Sequence, residues 1–373
     1  MVTEGLTTPG AGWRRAGGSD VAGDGVRPYG KGAGKGDGTG DGTGRRRKGR
    51  RGGRRGRGGE VPMVEDAEFT SYYGRPIIKP PVWKSPDVPL YLFLGGAAGS
   101  SAILGAIADL TGRPALTRVS RLTAGGGSIL SVVFLIHDLG RPERFLHMLR
   151  VIKPTSPLSV GSSILAPFSA AAGATAAVEL LGWFPRLKRF GGVVAALFGG
   201  PLATYTGVLL ANTAVPSWHA PHRELPFVFG GSAMAAGGGV TMVFTPVAEA
   251  GPSRKMAVAG AAIELAVVHR VETGHGIVSE PFHTGRAGTL LRAAKACTAA
   301  GAGLTVVAGR SRAGAVVSGV LLAAGSLLTR FGVFEAGMAS AKDPKYTVVP
   351  QRERMAARAA QAAQDGHAST VTG

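Results

Sequence analysis

The sequence predicts an all-α integral membrane protein with about eight transmembrane helices behind a disordered N-terminal tail. Three observations carry this. Only 17% of the 373 residues are charged while 45% are hydrophobic, where an ordinary soluble domain carries about a quarter charged residues. From residue 88 onward, apolar stretches of about 18–25 residues recur, each long enough to cross a ~30 Å hydrocarbon core at about 1.5 Å per residue. The charges crowd at one end: residues 1–62 hold 14 of the 42 Lys and Arg and 6 of the 23 Asp and Glu. A single cysteine, Cys297, excludes a disulfide framework and any Cys-ligated iron–sulfur or zinc cluster within this chain. A mostly apolar chain also argues against a globular nucleic-acid binder.

Residues 1–62 form a Gly-rich segment with no apolar periodicity, ending in RRRKGRRGGRRGRGG (45–59), nine cations in thirteen residues. Such a segment buries too little surface to offset its chain entropy and is expected to be disordered. Its charge would attract phosphates. No apolar region follows the arginines closely enough for a twin-arginine export signal. Folded character starts at MVEDAEFTSYYGRP, so native translation is expected to begin at or near Met63, with an extended lead over 63–87.

Spans are expected near 88–108, 119–136, 158–182, 190–214, 227–248, 256–271, 289–309 and 313–331. The fourth and fifth, GGVVAALFGGPLATYTGVLLANTAV and FVFGGSAMAAGGGVTMVF, are uninterrupted. The sixth and seventh are Ala-rich and shorter. Glycines at 95 and 99, 125–127 and 237–239 permit close backbone approach between helices. An even number of spans returns the C-terminus to the side of the N-terminus, the near face. Its segments are the lead, the loops 137–157, 215–226 and 272–288, and the tail after 331. The far-face loops, 111–118, 183–189, 250–255 and 309–312, are terse. Long loops rich in Pro, His, Arg and aromatic residues carry function, so a partner is expected on the near face.

The segments YYGRPIIKPPVW (72–83), LYLFLGG (90–96), DLGRPERF (138–145), KPTSPLSVGS (153–162), NTAVPSWHAPHRELPFVF (212–229) and SAKDPKYTVVPQRER (340–354) resemble, in order, those of the NrfD/polysulfide-reductase membrane subunits. The resemblance implies two four-helix bundles, here 88–214 and 215–331, followed by a C-terminal tail over 332–373. It implies a haem-free, quinone-reactive anchor rather than the catalytic core of an oxidoreductase. Its implied partners are a ferredoxin-like iron–sulfur subunit and a molybdopterin catalytic subunit, besides membrane lipid.

A quinone site needs an apolar slot and two polar groups for the head-group oxygens, one of them exchanging protons. Tyr91, Asp138 and Asn212 fall in the same leaflet by span order. Tyr205 and Asn212 are seven residues apart and share a helix face, with Tyr205 about 10 Å deeper. A Tyr hydroxyl can donate to a carbonyl oxygen and Asp138 can relay the proton, with His137 beside it as an alternative. Tyr205 and Asp138 are therefore the catalytic candidates. Tyr91, His137 and Asn212 join Tyr205 as residues to hold menaquinone or ubiquinone. Structural roles stand beside these. Asp138 is equally suited to bonding its own turn or pairing with Arg141 or Arg144, and Tyr91 to the interfacial aromatic belt.

Glu264 falls mid-span, with His269 and Glu272 beyond it, and Glu179 closes the third span. An acid inside a span is costly without a partner, so Glu264 reads either as part of a proton path or as a protonated acid bonded to a neighbouring helix. A second functional class stays open: a secondary transporter or proton-translocating module without quinone chemistry, with Pro167 and Pro201 inside spans. Assigning each Lys and Arg after Met63 to its nearer face puts 15 near and 10 far, with three in the distal tail. The excess favours a cytoplasmic near face in a multi-pass protein of the cell membrane.

Overall fold

Each apolar span becomes one helix, and proline and glycine set its ends. The computed structural model describes residues 76–371 apart from 142, 151 and 183. The expected disordered tail, the start near Met63 and the first half of the lead lie outside the described residues. Eight long helices result: α1 (Asp87–Leu110), α2 (Pro114–Leu139), α4 (Pro157–Leu181), α5 (Pro185–Ala211), α7 (Leu225–Phe244), α8 (Gly251–Thr273), α10 (Gly285–Ala308) and α11 (Arg312–Lys342). Between them lie the short α3 (Glu143–Arg150), α6 (Pro216–His219) and α9 (Glu280–His283). A final helix, α12, runs over Lys345–Val371. Proline opens α2, α4 and α5, where its missing N–H leaves no donor unmet. Gly140 and Gly182 close α2 and α4 in the left-handed conformation.

Among the described residues, seven helices are long and apolar enough to cross a membrane: α1, α2, α4, α5, α7, α10 and α11. The eighth, α8, carries Arg254, Lys255, Glu264, Arg270 and Glu272, which lower its hydropathy, yet it packs against α7 and α10. Two differences from the expected spans have physical causes. Helices α2 and α5 start about five residues early, because hydrogen bonding continues past the hydrocarbon boundary into basic, interfacial turns. Helix α11 runs to Lys342 rather than ending at 331, because Arg330 is fully buried and does not mark an exit. The expected tail over 332–373 is thus two helical stretches, the end of α11 and α12, parted at Asp343 and Pro344.

Helices α1, α2, α4 and α5 pack on one another, as do α7, α8, α10 and α11, and α7 lies against α1 and α5 to join the two sets. Lipid is as apolar as leucine, so burial of leucine does little to drive helices together; small residues and interhelical hydrogen bonds do that work. Ser100 Oγ donates to the Ala233 carbonyl at 2.7 Å across the seam between the sets, and Ser232 Oγ to Ser326 Oγ at 2.8 Å within the second. At the far face Glu249 accepts from the first-turn amides of α2, Ala115 at 2.8 Å and Leu116 at 3.2 Å, where an anion also suits the helix dipole. At the near face Trp218 is wholly buried, stacks on Trp83 at 5.5 Å and donates to the Val333 carbonyl at 2.7 Å. Trp218 is thus a packing residue of the near-face core, not a free docking side chain. Leu110, Leu197 and Val307 are more than two-thirds exposed, as side chains facing lipid would be.

Helices α1 and α5 cross backbone to backbone. A Cβ at Gly99 would overlap the Gly199 carbonyl oxygen, and a Cβ at Gly199 the Gly99 carbonyl oxygen. Both obstacles are backbone, so no side chain can yield. Gly99→Ala is expected to destabilise by about 1–3 kcal/mol as an overpacked contact, seen as an earlier thermal transition in detergent. Gly126→Ala and Gly173→Ala, whose Cβ positions have nothing within 4 Å, should leave it unchanged. Equal transitions for all three would contradict this crossing.

Candidate functional site

The largely apolar cavity of the first helix set lies in its near-face half. It is walled by α1, α2, α4 and α5 and roofed by Phe145, Met148 and Leu149 of α3. It encloses about 580 Å³ of empty space, its mouth included. Leu149 and Leu158 line it while staying 40% and 48% exposed, so it opens between α3 and the start of α4. Helix α3 is amphipathic, and the Ser162 hydroxyl holds it to α4 by donating to the Met148 carbonyl at 3.3 Å. The signal for this roof was present in FLHML, apolar at i, i+3 and i+4, but no site residue was expected there.

Tyr91 and Tyr205 meet at this cavity. Tyr91 lies about one turn inside α1 and Tyr205 nearly two turns inside the end of α5, so both sit roughly 6–9 Å from the near-face helix ends. Tyr205 packs its ring on Gly161, where a Cβ would overlap the phenol, and its hydroxyl reaches the Gly161 main chain. The cavity's other hydroxyls are taken. Ser131 donates to the Tyr91 carbonyl at 3.0 Å, Ser162 to the Ser159 carbonyl at 2.9 Å, and Thr206 to the Ala203 carbonyl at 3.5 Å. The two phenols are the polar groups suited to a guest.

Asp138, His137 and Asn212 do not line the cavity. Asp138 Oδ1 accepts from the Lys84 main-chain N–H at 2.9 Å, fastening the segment that leads into α1. It remains within Coulombic range of Tyr91, as does Tyr205. The His137 ring is 72% exposed, and its Nδ1 lies 2.7 Å from Oδ2 of Asp87. Asp87, a buried acid in the first turn of α1, was not singled out from the sequence. Asn212 is exposed at the C-terminal cap of α5. The tyrosines thus lie inside, and the Asp–His groups sit at the α1–α2 junction on the near face.

A second polar group lies in the second helix set. Glu264 Oε1 accepts from the Thr329 hydroxyl at 2.5 Å. Arg330 donates through Nη2 to the Phe229 carbonyl at 2.8 Å, and its guanidinium stands 3.9 Å from the Phe229 ring centroid. Both are buried, and Gly96 of α1 leaves room for the arginine. Glu264 is thus hydrogen-bonded to a neighbouring helix, and its field reaches Arg330. The sequence reading placed Arg330 at the end of a span and missed it. Glu179, by contrast, pairs at the far end with Arg121 at 3.1 Å and Lys188 at 3.2 Å. Among the described residues no cluster of His, Cys, Asp and Glu is arranged to hold a metal ion.

Arg330→Met leaves the buried Phe229 carbonyl without its donor and removes the cation whose field reaches Glu264, and is expected to cost about 1–3 kcal/mol. Adding Glu264→Gln should restore part of that loss in thermal unfolding. Strictly additive effects would mean that the two groups do not sense each other.

No curated protein matches the chain. A family model described as polysulfide reductase, of the NrfD type, matches residues 69–342 and so takes in α1 to α11 but not α12. With a match of that extent over an all-helical membrane architecture, the chain belongs to the NrfD/polysulfide-reductase family of membrane subunits.

Proposed function

We propose that this chain is the quinone-reactive membrane subunit of a multi-subunit oxidoreductase. The observation that carries the reading is the convergence of two tyrosines from α1 and α5 on a largely apolar cavity that opens between α3 and α4. A quinone accepts two electrons and two protons, and supplies the redox chemistry when bound. The chain's own residues have simpler tasks. The phenols of Tyr91 and Tyr205 donate to the head-group oxygens and orient the ring. The apolar wall receives the isoprenoid tail, and α3 keeps water out. Asp138 exchanges protons between the tyrosines and near-face water, with the Asp87–His137 pair beside it.

Electrons must then pass to or from a cluster close to the head group, which puts the iron–sulfur partner on the near face. Arg141, Arg150, Arg223 and Arg354 are exposed there and offer hydrogen-bonding anchors for it. A ferredoxin-like iron–sulfur subunit with a molybdopterin catalytic subunit suits this arrangement. The soluble substrate is then decided on another chain. The excess of Lys and Arg on the near face supports its placement toward the cytoplasm. A reporter pair fused after Gly373 checks this: fluorescent GFP and inactive alkaline phosphatase are expected, and the opposite pattern reverses the assignment.

Tyr205→Phe removes one hydroxyl with little change in volume. Asp138→Asn keeps an oxygen to accept from Lys84 but gives up the proton relay. Each should lower quinone-coupled turnover of the assembled complex about tenfold or more, as loss of one directed donor or acid–base group does, with subunit content unchanged. Intact turnover in both variants would refute the quinone site. A second reading, a proton-translocating module, draws on the buried Glu264–Arg330 group. It predicts the reverse pattern, with Glu264→Gln abolishing function and Tyr205→Phe silent.

A further inference from the structure

The opposite end of the first helix set holds a cleft that quinone chemistry does not use. It is formed by the first turns of α5 with Asp109 of α1 and Arg121 of α2, and encloses about 1010 Å³ of empty space, its open mouth included. Four cations, Arg121, Arg186, Lys188 and Arg189, meet two carboxylates here. Asp109 accepts from Arg189 at 3.1 Å and stands 3.5 Å from Arg121. Glu179 accepts from Arg121 at 3.1 Å and lies 3.2 Å from Lys188. Both acids are thereby occupied. Among the described residues Arg186 has no carboxylate within ion-pair distance, and two positive charges are left over.

Two further features point to an anion. Arg121 lines the cleft with its side chain only 8% exposed, and its buried Nε has no hydrogen-bond partner among the described residues. Helix α5 begins at the cleft with Pro185, so its free first-turn amides and positive dipole end add to the same field. One feature distinguishes a lipid from a small anion. Phe190, Val193 and Leu197 are 68%, 50% and 69% exposed, and their spacing makes one stripe descending α5 from the cationic rim toward the membrane centre.

We infer that this cleft binds an anionic phospholipid. Its phosphate sits among Arg186, Arg189 and the start of α5, and an acyl chain lies along Phe190, Val193 and Leu197. Arg121 and the paired acids form a fixed floor, and the headgroup neutralises the surplus charge. The site lies at the opposite end of the helix set from the quinone cavity and does not depend on it.

The test uses the full-length protein, delipidated in neutral detergent and titrated with phosphatidylglycerol, phosphatidylcholine or inorganic phosphate. Native mass spectrometry counts bound lipid, and a thermal melt reports stabilisation. Phosphatidylglycerol is expected to be retained and to raise the transition, and the other two probes to do neither. Arg186→Gln should weaken phosphatidylglycerol binding about fivefold, the worth of one cation at a charged headgroup. Arg310→Gln, an exposed far-face cation outside the cleft, should not. Among the described residues Arg186 makes no ion pair, so its loss leaves the fold intact, and an unchanged melt without lipid checks this. Phosphatidylglycerol binding that ignores Arg186, or equals that of phosphatidylcholine, would overturn the site. An Arg186-dependent shift with inorganic phosphate alone would overturn the lipid and leave a soluble-anion site.

Discussion

The backbone contact between Gly99 and Gly199 is the constraint on which the first helix set depends. With no hydrophobic drive between helices in lipid, cohesion comes from close packing and polar bonds, and α1 and α5 reach their spacing only because neither carries a Cβ at the crossing. From that point toward the near face, α1 rises two turns to Tyr91 and α5 fewer than two to Tyr205. The crossing therefore sets the level at which both phenols enter the cavity. The same economy recurs at Gly161, whose missing side chain is the space that the Tyr205 ring fills.

Polar groups close the remaining gaps. The Ser100–Ala233 bond pins α1 to α7 at the seam, Glu249 caps α2 from the α7–α8 loop, and Trp218 locks α6 onto α11. Arg330 is the boldest of these. A guanidinium deep in the protein is tolerated because a main-chain carbonyl, an aromatic face and the field of Glu264 replace part of the water it has lost. Among the described residues its Nε and Nη1 have no hydrogen-bond partner, nor does Glu264 Oε2. The second helix set thus keeps unspent polar capacity in its core, as the first does at Ser101, Ser120 and Thr175.

The two ends of the first set differ in chemistry. The near-face cavity is apolar with two neutral phenols, suited to a guest carrying carbonyl oxygens and a long hydrocarbon tail. The far-face cleft is charged and open, suited to a phosphate. Helix α5 serves both, with Tyr205 near its end and Arg186 at its start, 19 residues or about 28 Å apart along the axis. That distance is close to the thickness of the hydrocarbon core.

The sequence by itself determined the all-helical membrane character and the order of the spans, and its loop chemistry pointed to the near face as the place to look for a site. Apolar run length and the chemistry of the loops are local properties, and the ordered family motifs named the architecture. Tyr91 and Tyr205 were legible as residues because phenols inside or at the edge of apolar spans stand out. Tertiary structure alone decided that these two share one cavity, while Asp138, His137 and Asn212 stay off its wall. Helix rotation is set by partners from other parts of the chain, and spacing within one helix cannot report it. For the same reason Arg330 looked like the end of a span and α3 like an ordinary loop. Whether such a side chain faces lipid, a partner or the core depends on what the next helix brings against it, and that is long-range information.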